Sequence, residues 1–189
     1  MQFLDILNNF LHGTGIGTQT MIGTAIGSED TKRIKLTSIV VKRLNNKIIF
    51  ITTLIIGISM FILLPFFLIE NESLEIGYKL LIFVLLDCIL SGYYYYYTSI
   101  LRAMKEFKYI SKLSLWISAL LKLILAFFFS RILEIYGIWL GFIISDTIMN
   151  ILLNKRMKKF AGEEQLKINE KGIMYKNDYF NRFRWNTFK

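Results

Sequence analysis

The sequence predicts an all-α integral membrane protein, and three features of composition and patterning indicate that class. Hydrophobic residues make up 54% of the 189 residues, and the mean hydropathy is +0.46. The chain also carries a net charge of +9, a combination that soluble domains rarely show. Long apolar stretches alternate with short charged ones. We therefore expect a transmembrane region over residues 1–153, with about five helices at 3–27, 48–69, 80–103, 113–133 and 136–153, and a basic cytoplasmic tail over 154–189.

The second of these helices gives the strongest signal. The stretch from Ile48 to Ile69 contains no charged residue, and it exceeds the roughly 20 residues that cross a hydrocarbon core about 30 Å thick. The three later segments are similar in length and are each interrupted mainly by one central charge. The first segment, 3–27, is more polar, but its glycines lie among small residues, which permits close helix packing in a membrane.

A run of five tyrosines, Tyr93–Tyr97, falls in the second half of the predicted helix 80–103. Consecutive residues point around a helix rather than to one side of it, so these rings are expected to surround the helix. Tyrosine is common where a helix meets the lipid headgroups, because its ring is apolar and its hydroxyl favours water. We therefore expect packing and interface anchoring from most of them.

Basic residues are concentrated in alternate connections between the predicted helices. They fall in the segment from Lys32 to Lys47, which we expect to be a loop, in the segment from Arg102 to Lys112, and after the last helix. The connection from Glu70 to Lys79 is acidic instead. The positive-inside rule then predicts a cytoplasmic carboxyl terminus, an external amino terminus and an odd number of crossings.

The tail mixes lysine, arginine and asparagine with aromatic residues. Such a mixture is able to bind nucleic acid through phosphate contacts and base stacking. The simpler interpretation is a solvated segment attracted to anionic lipid headgroups. We therefore expect the lipid bilayer, and no nucleic acid, as its partner.

Three charged residues lie near the middle of predicted helices: Asp87, Lys122 and Asp146. Each ionised group there costs about 2.5–3.5 kcal/mol on insertion scales, so the charges must be compensated inside the protein. Helical spacing predicts a polar lining next to them from Ser91, Tyr94, Thr98, Ser118 and Asn150. Two interpretations remain open: Lys122 pairs with one aspartate as a structural strut, or one carboxylate exchanges H⁺ or Na⁺ while Lys122 tunes its affinity.

No arrangement of residues typical of an enzyme or a metal site accompanies these charges. The single histidine, His12, and the single cysteine, Cys88, fit neither a nucleophile-base pair nor metal-ligand spacing. The chain is therefore expected to be neither an enzyme nor a metalloprotein, and to need no cofactor beyond a coupling ion.

Three motifs resemble those of multidrug and toxic compound extrusion (MATE) transporters. The glycine-rich run GTGIGTQTMIGTAIGSED is similar to a small-residue helix of that family, Ile100–Glu106 to its Leu-Arg-Gly-x-Gly-Asp loop, and Tyr136–Gly141 to the Gly-x-Trp-x-Gly start of its last helix. The resemblance covers about residues 11 to 158. Ala103 and Lys105 stand where the family usually has glycine. The resemblance implies the carboxyl-terminal lobe of a MATE-like helical bundle.

The resemblance also implies a function. We expect a fragment of a secondary antiporter in the cell membrane that exports drugs or other organic compounds in exchange for Na⁺ or H⁺. Because such transporters work between two helical halves, the expected partner is a missing amino-terminal half. Two alternatives are a structural or regulatory membrane subunit that does not transport, and a lipid-linked sugar flippase of the same superfamily.

Overall fold

A computed structural model describes residues 2–28, 31–68 and 70–170, and its regular elements within them are all helices. In chain order these are α1 (Gln2–Gly27), α2 (Thr31–Phe67), α3 (Asn71–Ala103), α4 (Phe107–Leu113), a π-helix (Ser114–Leu121) and α5 (Lys122–Glu170). The predicted all-α class is therefore confirmed for the described part of the chain.

Three threonine hydroxyls of α1, those of Thr14, Thr20 and Thr24, form hydrogen bonds within the helix. The hydroxyl of Thr14 donates to the carbonyl of Leu11 at 2.8 Å, and that of Thr24 donates to Met21 at 3.0 Å. Bonds from a side chain to the preceding turn leave no unpaired hydroxyl to solvate. A helix with this many threonines can therefore lie in an apolar environment.

The prediction that Lys32 to Lys47 form a loop is wrong, because α2 is helical from Thr31 onward. Its buried positions recur at helical spacing across the predicted loop and into the apolar stretch, with Val41 at 2%, Ile49 at 5% and Ile56 at 2% exposure. This period of three to four residues is that of one helix face packed against neighbours. The basic residues therefore lie on a helix that extends beyond the predicted crossing.

Helix α3 is the centre of the bundle and packs against α1, α2 and α5. The five tyrosines lie on it, and their environments differ. Tyr96 is 3% exposed and belongs to the main core, whereas Tyr95 meets the ring of His12 edge to face at 5.5 Å. The absence of a side chain at Gly92 lets Ile49 of α2 approach α3 closely, because a Cβ on Gly92 would lie 2.5 Å from Cγ1 of Ile49. The tyrosines on these faces therefore pack between helices.

A tight turn joins α3 to α4. The amide of Lys105 bonds to the carbonyl of Arg102, and the amide of Glu106 to that of Leu101, both at 2.9 Å. Lys105 has a φ of 62°, in the left-handed region that favours glycine. The tight turn for which the related motif uses glycine is thus present here, and Lys105 adopts the strained positive φ.

Helix α5 folds back on itself at Leu133 and Glu134, whose backbone angles are not helical. The two arms then run antiparallel and approach closely. A Cβ on Gly137 would collide with the carbonyl oxygen of Phe129, and one on Gly141 would lie 2.7 Å from the amide nitrogen of Ala126. Two glycines four residues apart therefore permit the contact between the arms.

Two stretches in the described residues have the length and hydropathy of a membrane crossing: Leu36–Phe67 and Phe107–Lys159. The second contains the reversal of α5. The predicted number of about five crossings stays a prediction.

The described helix α5 continues past residue 153, where the sequence predicted the tail to begin, and reaches Glu170. Met157, which is 0% exposed, belongs to the core, so the start of the predicted tail packs with the bundle. The rest of that prediction, residues 171–189, lies outside the described residues.

The first prediction concerns the strained turn. K105G should stabilise the protein by about 1 kcal/mol, because glycine adopts a positive φ without the steric cost that a Cβ incurs. The measurement is the thermal unfolding midpoint of the detergent-purified protein. K108G is the matched control: it changes an exposed lysine inside α4 and should destabilise by about 0.5–1 kcal/mol. Equal destabilisation by both changes would contradict the geometry of the turn.

Candidate functional site

The centre of the candidate site is an ion pair between the two arms of α5. The Nζ of Lys122 lies 2.8 Å from Oδ2 of Asp146, and the two side chains are 25% and 19% exposed. Lys122 begins the first arm, and Asp146 lies on the second. The close approach allowed by Gly141 brings the two arms together near this pair. Two of the three charges predicted to be compensated inside the protein thus compensate one another.

Asp87 of α3 completes this group of charges. Its carboxyl lies near enough to interact electrostatically with both Asp146 and Lys122. We call Asp87, Lys122 and Asp146 the charge cluster.

Asn150, one turn after Asp146, ties the charge cluster to the backbone of α3. Its Nδ2 donates to the carbonyl of Leu90 on α3 and to that of Asp146, each at 3.0 Å. Both bonds use amide hydrogens, so Oδ1 points elsewhere, and it is buried without a partner among the described residues. Asn150 therefore fixes α5 against α3 and leaves one acceptor free.

The first arm of α5 begins where a π-helix ends, and Lys122 is the residue at that junction. Ser145 of the second arm is 0% exposed, and its hydroxyl donates to the carbonyl of Ile117 in the π-helix at 3.0 Å. Short π-helical segments occur frequently at functional sites. The ammonium of Lys122 also lies 4.7 Å from the ring centre of Phe142, which contributes a cation–π attraction.

The other predicted site residues lie in different environments, some in the core and some half-buried. Thr98 is 1% exposed, and its hydroxyl donates to Tyr94 at 2.8 Å within α3. Tyr94 itself packs against the main core. Ser91 and Ser118 are half-buried. The structure thus brings Asp87, Lys122 and Asp146 into one group and places Thr98 in the interior of the bundle. The polar lining expected from Ser91, Tyr94 and Ser118 stays a prediction.

Sequence reasoning missed a second ion pair at the basic end of the bundle. Arg156 of α5 donates two hydrogen bonds to Oε2 of Glu106, at 2.9 and 3.1 Å, and its guanidinium lies 5.2 Å from the ring centre of Tyr109. The sequence gives no signal for it, because the two residues are 50 positions apart. This pair holds the end of α5 against the turn after α3.

Metal binding has no support in the described part of the chain. No group of three or more histidine, cysteine, aspartate or glutamate side chains is arranged there to hold a metal ion. The charge cluster presents two carboxylates beside the ammonium of Lys122.

Comparison with protein families places these elements in a wider context. A family model described as MatE matches residues 1–128. The matched region includes α1 to α4, the π-helix and the start of α5, and thus Asp87 and Lys122 but not Asp146. Comparison with curated proteins and with solved structures gave no match.

The second prediction concerns the ion pair. K122M should destabilise the protein by about 3–5 kcal/mol, because it leaves the Asp146 carboxylate without its cation in a poorly solvated place. The double change K122M/D146N should recover most of this loss, because it also removes the carboxylate that K122M leaves without its cation, and the net charge of the cluster is again that of the wild type. Thermal unfolding in detergent measures both effects.

The matched control for this prediction is K79M, which breaks the exposed pair between Lys79 and Glu75 and should leave the unfolding midpoint almost unchanged, because water screens the two charges. A K122M variant as stable as K79M would show that the ion pair within α5 contributes little.

Proposed function

Since this chain belongs to the MatE family, whose members are membrane transporters, we propose that it takes part in exporting organic compounds across the membrane in exchange for H⁺ or Na⁺. The observation that carries the proposal is the pair of carboxylates, Asp87 and Asp146, beside the ammonium of Lys122. This arrangement is able to bind and release one cation.

The net charge of the cluster explains why it would bind a cation. Two ionised aspartates and one lysine have a net charge of −1, and an unbalanced charge at membrane depth is costly. One bound H⁺ or Na⁺ neutralises the cluster. Because Lys122 already contacts Asp146 directly, Asp87 is the carboxylate for which the external cation is required.

Release of the cation then links the charge to a movement of helices. Without the cation, the remaining negative charge lowers its energy by contact with water or with another cation. Asp87 lies on α3, and its two partners lie on α5, so repulsion between Asp87 and Asp146 acts across the interface of these helices. A change in the packing of α3 against α5 is the step that we propose couples ion exchange to export.

The transport pathway requires a second helical bundle. Secondary transporters of this kind place their substrate between two sets of helices that rock against each other, and the described helices form one set packed around α3. We propose that a second set, supplied by another segment or chain, completes the pathway in the cell membrane. The basic end of the bundle is cytoplasmic in this proposal, in agreement with the positive-inside rule.

A structural role for the charges is the second candidate, and the direct contact between Lys122 and Asp146 favours it. The two candidates differ in what they expect of Asp87. A strut needs the pair on α5 alone, whereas ion coupling needs Asp87 as well.

The third prediction tests this difference. D87N in the assembled transporter should abolish efflux driven by an H⁺ or Na⁺ gradient, because asparagine keeps the size of aspartate but does not change its charge. Efflux of a cationic dye from vesicles, with and without the imposed gradient, measures it. E75Q is the matched control, since Glu75 is an exposed acid on the same helix, and it should leave efflux unchanged. Gradient-dependent efflux that persists in D87N would reject the coupling role.

A further inference from the structure

A large apolar groove lies between α2 and α3, outside the charge cluster. Its volume is about 860 Å³, within the range of about 300–1,000 Å³ that is usual for sites that hold small ligands. Phe50, Leu54 and Ile58 of α2 line one wall, and Leu85 and Ile89 of α3 line the other. The walls are thus almost entirely hydrocarbon, so an occupant must be apolar along most of its length.

The groove faces away from the charge cluster. At about 100° per residue, Leu85 and Ile89 lie roughly 160° around α3 from Asp87. Phe50 is 69% exposed and Ile58 54% exposed, so this wall is open on the outside of the described bundle. The groove therefore belongs to the side of α3 opposite the ion-exchanging group.

One end of the groove is basic. Asn46 lines that end, and Arg43 and Lys47 are exposed next to it. Arg43 precedes Phe50 by seven residues, and Lys47 precedes Leu54 by seven, so both basic side chains continue the same face of α2 as the groove wall. The opposite end approaches the acidic segment with Glu75, which lies on α3 before Leu81. The groove therefore has an apolar body and a cationic mouth at one end only.

We propose that this groove binds an anionic phospholipid, with an acyl chain along the apolar walls and the phosphate beside Arg43 and Lys47. The dimensions agree: from Asn46 to Ile62 the wall extends about 24 Å at 1.5 Å per residue, which exceeds the roughly 15 Å thickness of one hydrocarbon leaflet. Basic pockets between transmembrane helices on the cytoplasmic side are a known form of lipid headgroup site.

The charges argue against two other occupants. A zwitterionic lipid has no net charge to pair with Arg43 and Lys47. A second copy of this chain related by a two-fold axis along the membrane normal would place like surface against like surface, and would bring the basic ends of both copies together. The anionic lipid is the occupant that complements the whole groove.

The experiment is native mass spectrometry of the protein released from bilayers of equimolar phosphatidylglycerol and phosphatidylcholine. The wild-type protein should retain one phosphatidylglycerol in preference to phosphatidylcholine. R43Q/K47Q should weaken that retention roughly 25-fold, at about fivefold for each basic side chain near the surface. The matched control K108Q/K112Q removes the same charge from exposed positions in α4 on the same side of the bundle, and it should retain the lipid as the wild type does.

A second variant tests the apolar part of the site. I58W adds a bulky ring at a groove-lining position without changing the charge, and it should also reduce retention, because less of the groove remains for the acyl chain. Circular dichroism checks that each variant keeps its helical content. Equal retention of the two lipids, equal loss in both glutamine double variants, or dimers that carry no lipid would overturn the proposal.

Discussion

The contact on which the rest of the structure depends is the ion pair between Lys122 and Asp146. It joins the two arms of α5 at a depth where each charge alone would be expensive. Ser145 and Asn150, on either side of Asp146, bond to the π-helix and to α3. One turn of the second arm therefore fixes the register of α5 against both of its neighbours, and the two glycines near the reversal make that approach possible.

The central helix α3 carries a different chemistry on different sides. The side that holds Asp87 meets α5 and its charges, and the side that holds Tyr95 packs against α1. The remaining side meets α2 and forms the wall of the apolar groove. A movement of α3 that exchanges an ion on one side would therefore also change the groove on the other.

The hydropathy and charge patterns predicted the class, the reversal near residue 134 and the need to compensate Asp87, Lys122 and Asp146. They did not predict which aspartate would contact Lys122, because the register between two helices depends on contacts that are distant in sequence. The same reason explains why the pair of Arg156 with Glu106 was missed. The loop predicted before residue 48 is helical instead, because basic residues can lie on the exposed face of a helix as well as in a loop. The buried spacing of Val41 and Ile49 was the signal that could have corrected it.

Residues expected to line a cavity show a further limit of helical periodicity. The period places Thr98 on the same face as Asp87, but it does not say whether that face is open or filled at each level. Near Thr98 the core residues Ile100 and Leu101 close the interface, whereas about two turns earlier, at Leu90, α3 meets Asn150. Helical periodicity gives the direction in which a side chain points, but the neighbouring helices decide whether that side chain meets a cavity or a packed core.

The central claim is that the α5 ion pair and Asp87 form one group, and solid-state NMR of the protein in lipid bilayers tests it most directly. Dipolar coupling between the ¹⁵Nζ of lysine and the ¹³Cγ of aspartate should show one contact within about 4 Å, the ion-pair range, and K122M and D146N should each remove it. A carboxyl correlation should join Asp87 to Asp146 in the same spectrum and disappear in D87N. Spectra with no lysine–aspartate contact, or with a contact that survives both changes, would contradict the account.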